Sequence, residues 1–294
     1  MSASWVSSVE APQPHFIAPR STQQQVATSS RRKLTRDQRI AHLRRKLADM
    51  MAQEGNVRQA IVQYELAAEY EERDPDFNVS LGDAYTFEEM PQQAYEAYVR
   101  ALNLNPRHAE SHFSMAELFL SLGRIRAAIR AMKKAVECAP HRDYYLYRLG
   151  ALYFAAGGLT MAELHFRSAV ELRPGDAFYR FKLGDTLFAQ KEYDDAIAEY
   201  ELATRLAPLD GFYFMRLAAA YSRLDRTAEA LEATERAVIL EPDNAAYRWL
   251  AGYQCLRLLD DEGAKGWFSR AGKLCDYDLD LIRRWQVRCG AEAI

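Results

Sequence analysis

The sequence predicts an all-α fold of about seven stacked helix pairs, and three observations carry that expectation. Pro106, Pro140, Pro174, Pro208 and Pro242 follow one another at a strict interval of 34 residues, and Pro75 precedes them. At the same interval Leu149-Gly150 with Tyr153 gives way to Leu183-Gly184 with Leu187 and then Leu217-Ala218 with Tyr221. A second set, Ala162, Phe166 and Ala169, returns as Ala196, Tyr200, Ala203 and as Ala230, Thr234, Ala237, each closed by a proline five residues later. A period of this length marks a repeat array rather than a single-core enzyme.

The frame extends in both directions without insertion. Toward the N-terminus it takes in Met115-Ala116 with Ala128, Met132 and Ala135, Leu81-Gly82 with Tyr85, Ala94, Tyr98 and Ala101, and Leu47-Ala48 with Ala60, Tyr64 and Ala67. Toward the C-terminus Ala251-Gly252 goes with Ala264, Phe268 and Ala271. Repeats therefore start near residues 41, 75, 109, 143, 177, 211 and 245. The first carries Glu72 where repeats two to six have a closing proline, so its second helix is expected to run longer. Small residues belong where two helix axes approach to roughly 8–10 Å. Leu, Tyr and Phe at helical spacing form the apolar stripe that each helix buries against its neighbours. The turns Pro174-Gly175-Asp176, Pro208-Leu209-Asp210 and Pro242-Asp243-Asn244 end one helix and offer a side-chain oxygen to cap the next.

On these residues the chain resembles the tetratricopeptide repeat (TPR) family, whose repeat pairs L-G-x-x-Y in the first helix with A-x-x-x-F-x-x-A and a proline in the second. The resemblance spans residues 41 to 278 and implies a right-handed superhelical solenoid whose first helices line a concave groove. The domain expectation is an N-terminal arm over 1–34, a seven-repeat array over 35–278, and a C-terminal helix over 279–294. That helix carries Leu281, Ile282, Trp285 and Cys289 at helical spacing and is expected to cap the last repeat, with dimerisation as its rival role.

Charge is uneven beneath a net value of −3. Residues 1–46 hold nine Lys or Arg against two acids, while residues 49–89 hold eleven acids and two bases. The first 30 residues, rich in Ser, Gln and Pro, are expected to be disordered or to order on a partner. The basic stretch from Arg31 to Lys46 is either a solvated face beside the acidic surface or a contact for an anionic partner, nucleic acid or membrane. Aromatic residues for stacking on single strands are nearly absent from it. There is no apolar span long enough to cross a bilayer and no signal-peptide pattern, and Cys138, Cys255, Cys275 and Cys289 form no metal-type C-x-x-C. A soluble, cytoplasmic protein with free thiols is expected.

The candidate site lies in the first helices of repeats four to seven, which hold 16 of the 34 aromatic residues. Tyr145, Tyr179, Tyr213 and Tyr247 recur in register and are expected to pack between repeats. The resemblance implies that the second, fifth, sixth and ninth positions of each repeat face the groove. These hold Tyr144, Phe178 and Phe212; then Tyr147, Phe181, Met215 and Trp249; then Arg148, Lys182 and Arg216; and Tyr253 at the ninth position of the last repeat. Aromatics rimmed by cations suit a protein segment with apolar anchors and acidic residues or a C-terminal carboxylate. The carboxylate clamp of chaperone-binding family members is missing, because Asp83, Glu117 and Asp185 occupy ninth positions where they would repel a carboxylate.

Catalysis has little support. His108 and His112 have the i, i+4 spacing of zinc ligands but no third partner, and no nucleophile elbow, phosphate loop or dinucleotide fingerprint occurs. No cofactor and no catalytic residue are expected. The reading is a non-catalytic scaffold, adaptor or assembly factor. Two alternatives stand beside it: a regulatory subunit acting through its basic arm, and an RNA-binding helical repeat. The period of 34, against 35 in pentatricopeptide arrays, favours the first reading.

Overall fold

The computed structural model describes residues 35–68, 70 and 74–289. The expected arm over 1–34, Glu72 and residues 290–294 lie outside them. The chain divides into two compact blocks, one up to Ala156 and one from Gly157, and the described residues are helical with no strand.

The first block contains α1 (Arg36–Gln53), α2 (Val57–Ala68), α3 (Pro75–Phe87), α4 (Pro91–Leu104), α5 (Ala109–Ser121), α6 (Ile125–Cys138) and α7 (Asp143–Ala155). The second contains α8 (Leu159–Leu172), α9 (Ala177–Gln190), α10 (Tyr193–Leu206), α11 (Gly211–Arg223), α12 (Thr227–Leu240), α13 (Ala245–Arg257), α14 (Asp261–Ala271) and α15 (Asp276–Cys289). Within each block the two helices of a repeat pack together, and the second helix packs on the first helix of the next repeat. The longer second helix expected for the first repeat is a correction: α2 ends at Ala68, and Tyr70 already donates from a turn to the Ala67 carbonyl.

Caps start the helices as the turn residues dictate. Asp176 accepts from the N–H groups of Phe178 and Tyr179, Asp210 from Phe212, and Asn244 from Tyr247. Thr35 and Gln38 close a reciprocal capping box on α1. Between the two helices of each repeat, the fifteenth position is left-handed every time. Gly55, Gly123 and Gly157 adopt it, and so do Glu89, Lys191, Asp225 and Leu259, with φ between 56° and 84°. A left-handed residue satisfies the last carbonyls of the first helix, and only glycine adopts it without a Cβ clash.

Glycine at the eighth position has a different reason. A Cβ on Gly82 would stand 2.4 Å from the Tyr98 ring, one on Gly184 2.8 Å from Tyr200, and one on Gly252 2.8 Å from Phe268. The aromatic ring of the second helix lies against the backbone of the first, and this contact sets the separation of the pair. Tyr64, Tyr98, Tyr200 and Phe166 are accordingly among the most deeply buried side chains. The series Tyr145, Tyr179, Tyr213 and Tyr247 is buried as well.

Candidate functional site

The tyrosines that cover these small residues also carry a hydroxyl, and burial obliges it to find a partner. The partner is the ninth-position carboxylate of the same repeat. Tyr64 donates to Asp49 at 2.5 Å, Tyr98 to Asp83 at 2.7 Å and Tyr200 to Asp185 at 2.7 Å. The sixth-position side chain of the following repeat then closes the arrangement from the neighbouring helix. In the first block, Arg148 of α7 forms a two-pronged ion pair with Glu117 of α5, one prong at 3.0 Å. In the second, Arg216 of α11 reaches Asp185 of α9 through Nε at 2.8 Å and through Nη2, which also donates to the Tyr200 hydroxyl at 3.1 Å.

This geometry corrects part of the expected groove. Arg216 is only 6% exposed, Met215 6% and Phe181 4%, so none of the three is an open contact. Burial alone would lower the Arg216 pKa, but Asp185 beside it outweighs that effect and raises it. Arg148 is likewise tied to Glu117. Glu117 and Asp185 are neutralised by these arginines, and so do not repel a carboxylate as their positions implied. A desolvated guanidinium such as Arg216 needs its carboxylate, and Arg148 is half-buried on Glu117; both arginines tie one repeat to the next.

Asp83 lacks such a cation. Ser114 occupies the sixth position of the next repeat, and burial pushes the Asp83 pKa up from 3.8 to about 6 despite hydrogen bonds from Tyr98 and Ser114. A carboxyl whose pKa is raised by folding favours the folded state most below its ordinary pKa. That contribution is lost as the pH climbs through the folded value, so the sensitive window runs from about 4 to 6. Asp83→Asn should flatten the melting temperature over that window and stabilise the protein at neutral pH by about 1–2 kcal/mol; an unchanged profile from thermal melts at stepped pH would contradict this.

The remaining ladder residues separate by block. In the first block Tyr144, 41% exposed, meets Phe113 at 5.7 Å and Tyr147 at 6.0 Å between ring centroids. In the second block Phe178 and Phe212 are 39% and 43% exposed. Both rest on the buried Phe181 ring, at 6.4 and 5.4 Å, and Lys182 Nζ lies 5.2 Å from the Phe178 and Phe181 centroids. Trp249 and Tyr253 stack with centroids 5.9 Å apart and are half-buried. They belong to an apolar cluster that includes Met215, Leu250, and Ile282 and Trp285 of α15.

The structure places α15 on α11 and α13, against the first helices, rather than stacked on α14 as a further repeat would be. The helix covers apolar residues of the last two repeats, Met215 and Leu250 among them. As for the histidine pair, the side chains turn to different partners. His108 contacts Ser111 at 2.8 Å and Asp76 at 3.0 Å, and His112 contacts the Pro106 carbonyl at 3.0 Å. No group of three or more potential metal ligands occurs among the described residues. No helix among them is long and apolar enough to cross a membrane.

Paired helices in a 34-residue register, with small residues under aromatic rings, define a helical-repeat protein of the all-α class. Residues 88–152 and 147–210 match two tetratricopeptide repeat family models. Residues 88–210 thus match tetratricopeptide repeats, and repeats of this kind support, in general terms, a protein-interaction scaffold.

Among solved structures, the C-terminal part of a TPR repeat-containing protein from Cytophaga hutchinsonii is similar, with a TM-score of 0.68 and 16% identity over 80% of this chain and 98% of that one. PilF of Pseudomonas aeruginosa is similar at 0.58 and 19%, over 70% of this chain and 94% of that one. YrrB, a TPR protein described as having an unusual peptide-binding site, is similar at 0.55 and 20%, over 61% of this chain and 93% of that one. At these identities the likeness is one of fold. A comparison with curated proteins gave no match.

Proposed function

We propose that the protein is a non-catalytic adaptor or assembly factor that binds a segment of another protein along the first helices of its repeats. The observation that carries this reading is the strip formed by Phe178 and Phe212. Two large rings stay 39% and 43% exposed beside a buried third, with a lysine ammonium over the strip. Exposed aromatics in a contiguous apolar patch are the residues that dominate interface energetics. Lys182, which has no acidic partner among the ion pairs of the described residues, suits an acidic residue on the segment. Arg148 and Arg216 are engaged elsewhere and do not contribute cations to it.

Phe178→Ser with Phe212→Ser should abolish capture of the partner by the purified chain while lowering the melting temperature less than loss of the buried Phe181 would, since both rings are partly exposed. Undiminished capture by the double variant, measured by pull-down and calorimetry, would rule out this strip as the contact.

A further inference from the structure

The position of α15 along the second block points to what the rest of the face binds. The ninth positions of repeats six and seven are Ala219 and Tyr253, and α15 meets them in reverse order along its length. Trp285 packs edge-on against Tyr253, with centroids 5.8 Å apart. Cys289 Sγ lies 3.8 Å from the Ala219 carbonyl oxygen. Arg288 falls under the electrostatic influence of Asp185 and Tyr200. The helix therefore lies across the groove face of successive first helices, as an amphipathic ligand helix does in a groove.

We propose that this seat is the binding surface for an amphipathic helix of a partner and that α15 is a built-in occupant that holds it closed. This deepens the groove-binding reading above and rests on it. The partner helix should repeat the apolar stripe of α15, an aliphatic residue with an aromatic three positions on, as Ile282 and Trp285 are, and should carry no cation where Arg288 meets Arg216.

The fit of α15 is poor for a permanent core element. Trp285 Nε1 and Gln286 Nε2 on the helix, and Arg216 Nη1 on the seat, are buried with no hydrogen-bonding partner among the described residues. Arg288 is brought toward Arg216, whose carboxylate is already shared with Tyr200. Although Arg288 is exposed overall, loss of water and then that like charge push its pKa down to about 10. A partner that satisfied these groups would bind the seat better than α15 does. Only residues 272–275 join α14 to α15, and Gly272 there has a φ of 68° and no contact that a side chain would disturb. The helix can thus leave its seat without disturbing α14.

The test uses the full chain and a fluorescent peptide of residues 276–294 as the probe. Ile282→Ala with Trp285→Ala should empty the seat, with helix content otherwise retained by circular dichroism. The peptide should bind this variant at least about tenfold more tightly than the intact chain, because an occupied seat reduces apparent affinity by the fraction that is open. Excess peptide should also speed hydrogen exchange across residues 276–289 of the intact chain.

Equal affinity for both chains would overturn the closure while leaving groove binding intact. No binding to either would overturn α15 as a displaceable ligand. A dimer of the intact chain that the double variant dissolves would instead assign α15 to a second copy. Phe178 and Phe212 stand at the second positions, at the other end of α9 and α11. Their variant thus reports on segment binding independently of the seat.

Discussion

Arg216→Glu is expected to unfold the second block locally and to cost about 3–5 kcal/mol, the range for breaking a buried ion pair and leaving a charge unmatched. The substitution would set a second carboxylate beside Asp185, at a position only 6% exposed, and would remove a donor from Tyr200. Thermal melting should show a large fall, and hydrogen exchange should rise first in α9, α10 and α11, because stability in a repeat array is a sum over neighbours. Arg148→Glu should cost less, since Glu117 is the more exposed acid and can turn to water. Replacing both members of the inner pair, Asp185→Leu with Arg216→Met, should restore most of the loss, as well-packed apolar pairs often do. A single Arg216→Glu variant that melts like the unsubstituted chain would show that the pair is not structural.

Gly184→Leu should have an effect of similar size by a different route. The first added atom, Cβ, would already stand 2.8 Å from Tyr200 Cε1, and the rest of the side chain would have to enter the ring. Tyr200 cannot swing away, because its hydroxyl is held by Asp185 and Arg216 and its ring is fully buried. The helix pair must therefore separate, at the upper end of the roughly 1–3 kcal/mol typical of overpacking or beyond it. Gly184→Ala should fall between the two, with a smaller shift. The check is a denaturant melt of the three proteins; equal midpoints would mean that the ring does not set the interhelical distance.

The repeat register, the start of each helix and the small-against-aromatic contact were legible in the sequence, because each depends on residues within one repeat. Asp176, Asp210 and Asn244 cap where their turns place them, and Gly82, Gly184 and Gly252 lie under rings sixteen residues further on. The ninth-position acids and sixth-position arginines were also in plain view, 31 residues apart in both Glu117–Arg148 and Asp185–Arg216. Taken as a ladder along one face they look like groove charges. Their pairing across adjacent repeats is the signal that would have assigned them to the interior.

What the sequence by itself determined is local and periodic: which segments are helical, which face of each is apolar, and which family the pattern resembles. Only the tertiary structure decided which groove-facing residues remain accessible. Phe178 and Phe212 stay partly exposed, whereas Phe181, Met215 and Arg216 are covered by neighbouring helices. The resting place of α15 was decided in the same way. An amphipathic helix after the last repeat satisfies its stripe equally well on the end of the stack or across the first helices. The choice between them rests on how Ile282, Trp285 and Cys289 match a surface assembled from α11 and α13, residues up to 70 positions away, and no short-range pattern encodes that match.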